Sequence, residues 1–298
     1  MDQPVDVAMS VYGKPFHTAV TLLSLQKHSG AHINRIYVQL EREQPFDAQP
    51  ERILPLLGEK IFVYRPPLYL GWTQVDSSRL GDAAYRQSVR YQWPWEHSDR
   101  AQLFIAHNDC VFFDDVIGRM RAVMAREGVA GVGPIGQCWN CPAHHAGRCD
   151  GARHEAFQPT YEEACEIVRA HPGPRLKVEK IDKISPMPFL ECRLNEIACL
   201  IDLTQARPAT MPHGPCLPLG WNRTDTGVDW FRGMRLQKFR FKHWDLRDGF
   251  SHGYFYAENG GHPANRDRAL YDRGEADAFA WLEAHFPQDA ARLRAALA

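Results

Sequence analysis

The sequence predicts an α/β fold, a mostly parallel sheet with helices on both faces, followed by a loop-rich Cys/His segment and a less regular C-terminal region. Two observations predict it. Short apolar runs alternate with helix-like stretches over residues 5–133, and parallel strands need such crossover helices between them. The run Phe104-Ile105-Ala106 then passes directly into His107-Asn108-Asp109, before a second apolar run, Cys110-Val111-Phe112-Phe113. An acidic residue at the end of an apolar strand is placed where open α/β sheets form their crevice.

The elements follow in order. Residues 5–11 read as a buried strand. Pro15 opens a helix over 15–28, in which Val20, Leu23 and Lys27 mark successive turns and Gly30 is the stop. Residues 33–40 are a second strand and 60–64 a third, stopped by Pro66-Pro67. A helix is expected over 79–91, a fourth strand over 102–106, a helix over 114–127 and a fifth strand over 129–133. Residues 134–160 carry Gly, Pro, Cys and His without periodicity, the pattern of a long functional loop. Residues 161–170 form a short helix. Leu194, Ile197, Ala198 and Ile201 fall at i, i+3, i+4 and i+7 and predict a helix over 194–206. A Pro/Gly-rich loop fills 207–227, strands are expected within 228–256, and a helix over 275–286 is broken by Pro287 before a last short helix.

Composition bounds the function. The chain has 298 residues, 44% of them apolar and 24% charged, enough for one large core or two joined ones. Its net charge of −1 offers no attraction to nucleic acid. No apolar run is long enough for a transmembrane helix, and the start, Met1-Asp2-Gln3-Pro4, is unlike a secretory signal. A cytoplasmic location is the expectation.

Asp109 is the first candidate functional residue. A hard carboxylate at a strand end suits Mg²⁺ or Mn²⁺, and such an ion suits a diphosphate. The competing reading is ordinary Asn-Asp turn chemistry. Ser10, Val11 and Tyr12 lie just past the first strand, where a nucleotide base would enter, and Tyr12 offers a ring for it to stack on. Arg79, Arg86 and Arg90, spaced by seven and four, would share one helix face able to meet phosphate. Arg90 is favoured because Tyr91, Trp93 and Trp95 follow it.

Eight cysteines in a chain of this length do not suggest a disulfide framework. Cys138, Cys141 and Cys149 follow a Cys-x₂-Cys-x₇-Cys spacing, with His144, His145, His154 and Cys165 nearby. Zinc takes four N or S ligands, so a structural Zn²⁺ with His154 or Cys165 as fourth ligand is one reading. Free buried thiols, an iron–sulfur cluster and a redox pair are the others.

Three segments carry a resemblance: Ser10-Val11-Tyr12-Gly13-Lys14-Pro15, the helix and strand ending in Ile36-Tyr37-Val38, and His107-Asn108-Asp109. On these, residues 5–135 resemble a nucleotide-sugar glycosyltransferase of the GT-A fold, with a weaker likeness near residue 196. The resemblance implies a Rossmann-like sheet and a nucleotide-sugar donor held by residues 1–135, among them Ser10, Val11, Tyr12, Arg90, His107 and Asn108. It implies Mn²⁺ or Mg²⁺ on Asp109, the last residue of an Asp-x-Asp signature whose first position here is His107. A late histidine, His252 or His243, would add a metal ligand, His252 being preferred for its flanking glycines. Residues 136–298, with the Cys-rich loop 136–165, would form the acceptor side of one continuous domain. Glu196 is the candidate general base, with Asp225 and Asp229 as alternatives; as a first-turn acid of a helix, Glu196 would instead only complement the helix dipole. The acceptor could be a glycan, a lipid-linked sugar or a small molecule. Two rivals stand beside this reading. A nucleotidyltransferase would want a richer Gly and basic loop than Gly13-Lys14. A zinc-stabilised binding protein without turnover would explain His107 in place of an aspartate.

Overall fold

A computed structural model describes residues 3–71, 73–220, 225–255 and 266–297. Its main sheet has seven strands in the order β3-β2-β1-β4-β7-β6-β8. They are β1 (Val5–Val11), β2 (Ile33–Leu40), β3 (Ile61–Tyr64), β4 (Gln102–His107), β6 (Gly131–Gly133), β7 (Ala198–Asp202) and β8 (Phe241–His243). The pairs β1–β2, β1–β4, β2–β3 and β6–β8 are parallel, and only β7 runs against its neighbours β4 and β6. This is the mostly parallel α/β sheet that the alternating pattern predicts.

Side-chain alternation sorts the core onto two faces. Val5, Val7, Met9 and Val11 of β1 join Phe104 and Ala106 of β4 in one apolar cluster, with α1 (Pro15–Ser29) and α4 (Val116–Glu127) packed on it. Ala8, Leu103 and Ile105 face the opposite cluster, which holds Tyr91, Trp95, Trp230 and Phe231. A period of two makes this division unavoidable once the strands form.

The helix starts are local chemistry. Pro15 occupies the first turn of α1, behind Gly13 and Lys14, both at positive φ (66° and 54°). Asp115 caps α4 through the Gly118 N–H, and Gly128 ends it in the left-handed conformation. At the C-terminus, α9 (Arg268–His285) and α10 (Pro287–Leu297) meet at Pro287, as expected.

Two sequence expectations are corrected. Residues 194–206 are not one helix: Leu194 bridges Ile135, β7 follows, and the helix is only α7 (Leu203–Ala209). Ala198–Leu200 and Ile201 are buried on both faces of a central strand, so nearly every position is apolar and the helical spacing is met by accident. Residues 79–91 break into a 3₁₀ turn at Ser77–Arg79 and α2 (Ala83–Ser88), with Tyr91 at φ 64° before α3 (Gln92–His97). The strands expected within residues 228–256 are present, two short ones, behind a helix, α8 (Val228–Leu236).

The second of those strands matters most. β9 (Phe250–His252) pairs antiparallel with β5 (Cys110–Phe112), and Cys110 sits opposite His252. A segment from late in the chain is thereby laid beside Asp109. The Cys-rich loop holds α5 (Pro142–His145) and leads to α6 (Tyr161–Ala170).

Candidate active site

A cleft of about 840 Å³ opens at the carboxyl ends of β1 and β4. Ser10 and His107 are register partners on those strands, so both reach its floor together. At the centre is Asp109, 7% exposed. Its Oδ2 takes a 2.8 Å ion pair from Lys14 Nζ. Its Oδ1 lies 3.2 Å from His252 Nε2 and 3.9 Å from His107 Nδ1, yet has no well-directed hydrogen bond. Burial alone would raise the Asp109 carboxyl, but Lys14, His252 and His107 together hold it well below the usual carboxylate range.

Among the described residues, His107, Asp109 and His252 are the one group of three whose ligand atoms lie within 4.8 Å of one another. Two imidazoles and a carboxylate, with a buried carboxylate oxygen lacking a hydrogen bond, fit a divalent ion, and the imidazoles suit a transition-metal ion such as Mn²⁺ better than Mg²⁺, which prefers oxygen ligands.

A second charged chain lines the cleft. Glu196 Oε1 lies 3.5 Å from His107 Nε2, and Oε2 lies 3.6 Å from Arg193 Nε. Burial would raise the Glu196 carboxyl; Arg193 first and His107 next bring it down to about 2. Arg193 also pairs with Asp225 at 2.6 Å, as does Arg175. Glu196 sits in the loop entering β7, so the helix-dipole reading for it falls with the helix.

The remaining candidates separate. Tyr12 lines the cleft and stacks near Tyr69, with centroids 6.3 Å apart. Arg90 lines it too, 4.0 Å from the buried Glu41, which also accepts a 3.0 Å hydrogen bond from Ser10. Asn108 borders the cleft and donates to Thr18, tying the end of β4 to α1. Val11 is a core residue, with its side chain fully buried. Arg79 lies over the Tyr85 ring and Arg86 is ion-paired with Glu96 at 2.7 Å, so the three arginines do not share a face. His243 lies on β8, where its Nδ1 accepts the Ile135 N–H, and is outside the metal group. Asp229 is buried in the first turn of α8 and does not line the cleft; Asp225 does.

Sequence reasoning missed Lys14 as a partner of Asp109, and missed Arg175, Arg193 and Glu41. Only Gly13-Lys14-Pro15, a turn followed by a helix start, hinted that Lys14 was held in place.

Around the Cys-rich loop, Gly136 donates to Arg193 O and Gln137 to Glu191 O, which brings Cys192 alongside Cys138. Cys149 donates its N–H to Ala143 O, folding back on the Cys138–Cys141 turn. No three of these sulfurs lie within 4.8 Å of one another. Cys165 lies on the buried face of α6 beside Tyr161, and His154 Nδ1 is turned to Gly151 O.

The fold and the site therefore define an α/β protein with a polar, cation-ready cleft at its strand ends. No protein-family model matches the chain, and no curated protein matches it in sequence. Among solved structures it is similar to core-mannan synthase A of Aspergillus fumigatus in its Mn/GDP form, at 12% identity and a TM-score of 0.42, covering 84% of this chain and 74% of that one. It is also similar to mouse xyloside xylosyltransferase 1, at 14% identity and a TM-score of 0.42, covering 82% and 86%. A third likeness is to the bifunctional glycosyltransferase WbbM, at 10% identity and a TM-score of 0.37, covering 70% of this chain and 33% of that one. At these scores the likeness is one of general architecture, and no functional residue is transferred from it. Among the described residues no helix is long and apolar enough to cross a membrane.

Proposed function

We propose that the protein transfers a sugar from a nucleoside-diphosphate donor to an acceptor hydroxyl. One observation carries this reading: an ionised, buried Asp109 meets two imidazoles and an ammonium at the strand ends of a cleft large enough for such a donor. Asp109 Oδ1, His252 Nε2 and a His107 ring nitrogen would hold Mn²⁺ or Mg²⁺. When bound, that ion supplies positive charge for the leaving diphosphate. Tyr12 and Arg90 border the donor side, within residues 1–135. In the transfer the anomeric C–O bond to the diphosphate breaks, the acceptor oxygen forms the new bond, and its proton passes to the Glu196 carboxylate.

Glu196, which lines the cleft beside His107, is the acceptor-side carboxylate of this reading, within residues 136–298. A carboxylate held at about 2 takes that proton late, once the forming bond has made the acceptor oxygen strongly acidic. Its ionised form also orients His107 and offers negative charge to a sugar ring that turns cationic. A cytoplasmic location, expected from the sequence, belongs to the same reading.

The test is release of nucleoside diphosphate from UDP-, GDP- and CDP-sugars by purified protein, with and without Mn²⁺. Turnover of one donor, lost in Asp109→Asn, is expected. Binding without turnover across all donors would favour the rival reading of a silent binding protein, for which His107 in place of an aspartate is the supporting feature.

We further propose that the Cys-rich loop closes on Zn²⁺ through Cys138, Cys141 and Cys149, with Cys192 rather than His154 or Cys165 as fourth ligand; the sulfurs, no three of which lie within 4.8 Å of one another, would have to draw together on the ion. Cys192 is supported by the backbone pairing that lays residues 191–193 against 136–137. Burial, and then the nearby thiols of Cys149, Cys141 and Cys138, push its own thiol well above the ordinary value. Such a thiol cluster is best ionised by a metal.

A further inference from the structure

We propose that the Lys14 ammonium is the cleft's built-in cation for the donor diphosphate, so that nucleotide binds without a divalent ion and Lys14 holds the affinity for that ion down. The inference rests on the donor reading above and concerns what supplies the positive charge.

The geometry is a single carboxylate facing two cation positions. Lys14 Nζ holds Asp109 Oδ2 at 2.8 Å, while Oδ1 faces His252 and His107. Lys14 is 5% exposed, so this pair is shielded from water and poorly screened. An ion on Oδ1 would share its carboxylate with an ammonium. Like charges about 4–6 Å apart oppose each other strongly enough to shift an equilibrium by ~10-fold or more.

Lys14 is also placed by more than its ion pair. It adopts the left-handed conformation at φ 54°, which disfavours a side chain. Its backbone N–H donates to Tyr271 Oη at 2.9 Å, and the preceding Gly13 N–H donates to Gln44 Oε1 at 2.6 Å. Thr18 closes on the Lys14 carbonyl through both its N–H and its hydroxyl. Two separate segments and the first turn of α1 thus fix a strained residue that borders the cleft, the pattern of strain held at a working position. An ammonium carries three N–H donors, so it can keep Asp109 and still meet a phosphate oxygen.

The test uses two probes on the whole chain. Mn²⁺ alone is titrated by electron paramagnetic resonance, and UDP, GDP and CDP are titrated by calorimetry in EDTA and in Mn²⁺. Wild type, Lys14→Met and Lys14→Arg are compared. Wild type is expected to bind one nucleotide in EDTA. Lys14→Met should lose ~10-fold or more of that binding, recover it with Mn²⁺, and bind Mn²⁺ alone on the order of tenfold tighter. Lys14→Arg should behave like wild type. Unchanged Mn²⁺ affinity in folded Lys14→Met, or wild-type nucleotide binding that vanishes in EDTA, overturns the proposal. The wild-type arm decides alone if Lys14→Met does not fold. If no nucleotide binds under any condition, the donor reading falls and the diphosphate role of Lys14 with it; the Mn²⁺ comparison then still reports whether Lys14 opposes the metal.

Discussion

Replacing Asp109 by Asn should damage the fold as well as the chemistry. Sequence alone places Asp109 at a strand end, where its loss would silence catalysis and leave the protein intact. The structure adds Lys14, 5% exposed and 2.8 Å away. Removing one partner of a buried pair leaves the other charge without compensation, which costs about 3–5 kcal/mol. Against a total stability of about 5–15 kcal/mol that is a large fraction. At about 2–3 °C per kcal/mol for a chain of this size, the melting temperature should fall by roughly 5–15 °C. The assay is urea and thermal denaturation of wild type, Asp109→Asn, Lys14→Met and the double variant. The double variant should recover much of the loss, because it removes both charges together. The pH dependence carries a sign. The Asp109 carboxyl is held well below its ordinary value in the folded protein, so its contribution is present above about pH 4 and is lost as pH falls toward the lower folded value. Asp109→Asn should therefore show a flatter acid flank. A melting point within 1–2 °C of wild type, with an unchanged acid flank, would refute the claim that this pair is buried and coupled.

Three further outcomes follow from the same geometry. Glu196→Gln should slow sugar transfer by ~10²–10⁴-fold with little change in nucleotide binding; because its carboxyl is held at about 2, the change should also cost roughly 3 kcal/mol of stability above pH 5, a cost that shrinks as pH falls from about 4.5 toward 2. Unaltered transfer would move the catalytic role to Asp225 or to a mechanism without a protein base. Protein purified without added metal should carry about one zinc per chain, lost in Cys192→Ser and kept in Cys165→Ser; metal-free protein with all four thiols quickly alkylated would reject the site. Arg90→Ala should weaken nucleotide binding and leave Mn²⁺ binding unchanged, since Arg90 lies beside Glu41 and not beside Asp109; equal losses of both would contradict that division.

What the sequence shows of this molecule depends on range. β1, α1, β2 and β4 are legible because their apolar patterns are local and bounded by Pro15, Gly30 and Asp109. β7 is not, because a strand buried on both faces has no alternation, and Leu194, Ile197, Ala198 and Ile201 happen to match a helix. The aspartate at the end of β4 can be seen in the sequence, but its surroundings cannot. Lys14 reaches it from 95 positions away, and His252 is carried to it by the β5–β9 pairing. His243 and His252 look alike in the sequence, and only strand pairing separates them. The Arg193–Asp225–Arg175 chain likewise joins three loops that no local pattern connects.

The most direct test is a crystal structure of the protein with Mn²⁺ and the nucleoside diphosphate that it binds, with the ion located by its anomalous signal. The expected result is one Mn²⁺ peak at ligand distance from Asp109 Oδ1 and His252 Nε2, with the diphosphate within hydrogen-bond reach of Lys14 Nζ. A nucleotide bound outside the cleft between β1 and β4, or an ion coordinated without Asp109, would contradict the proposed function.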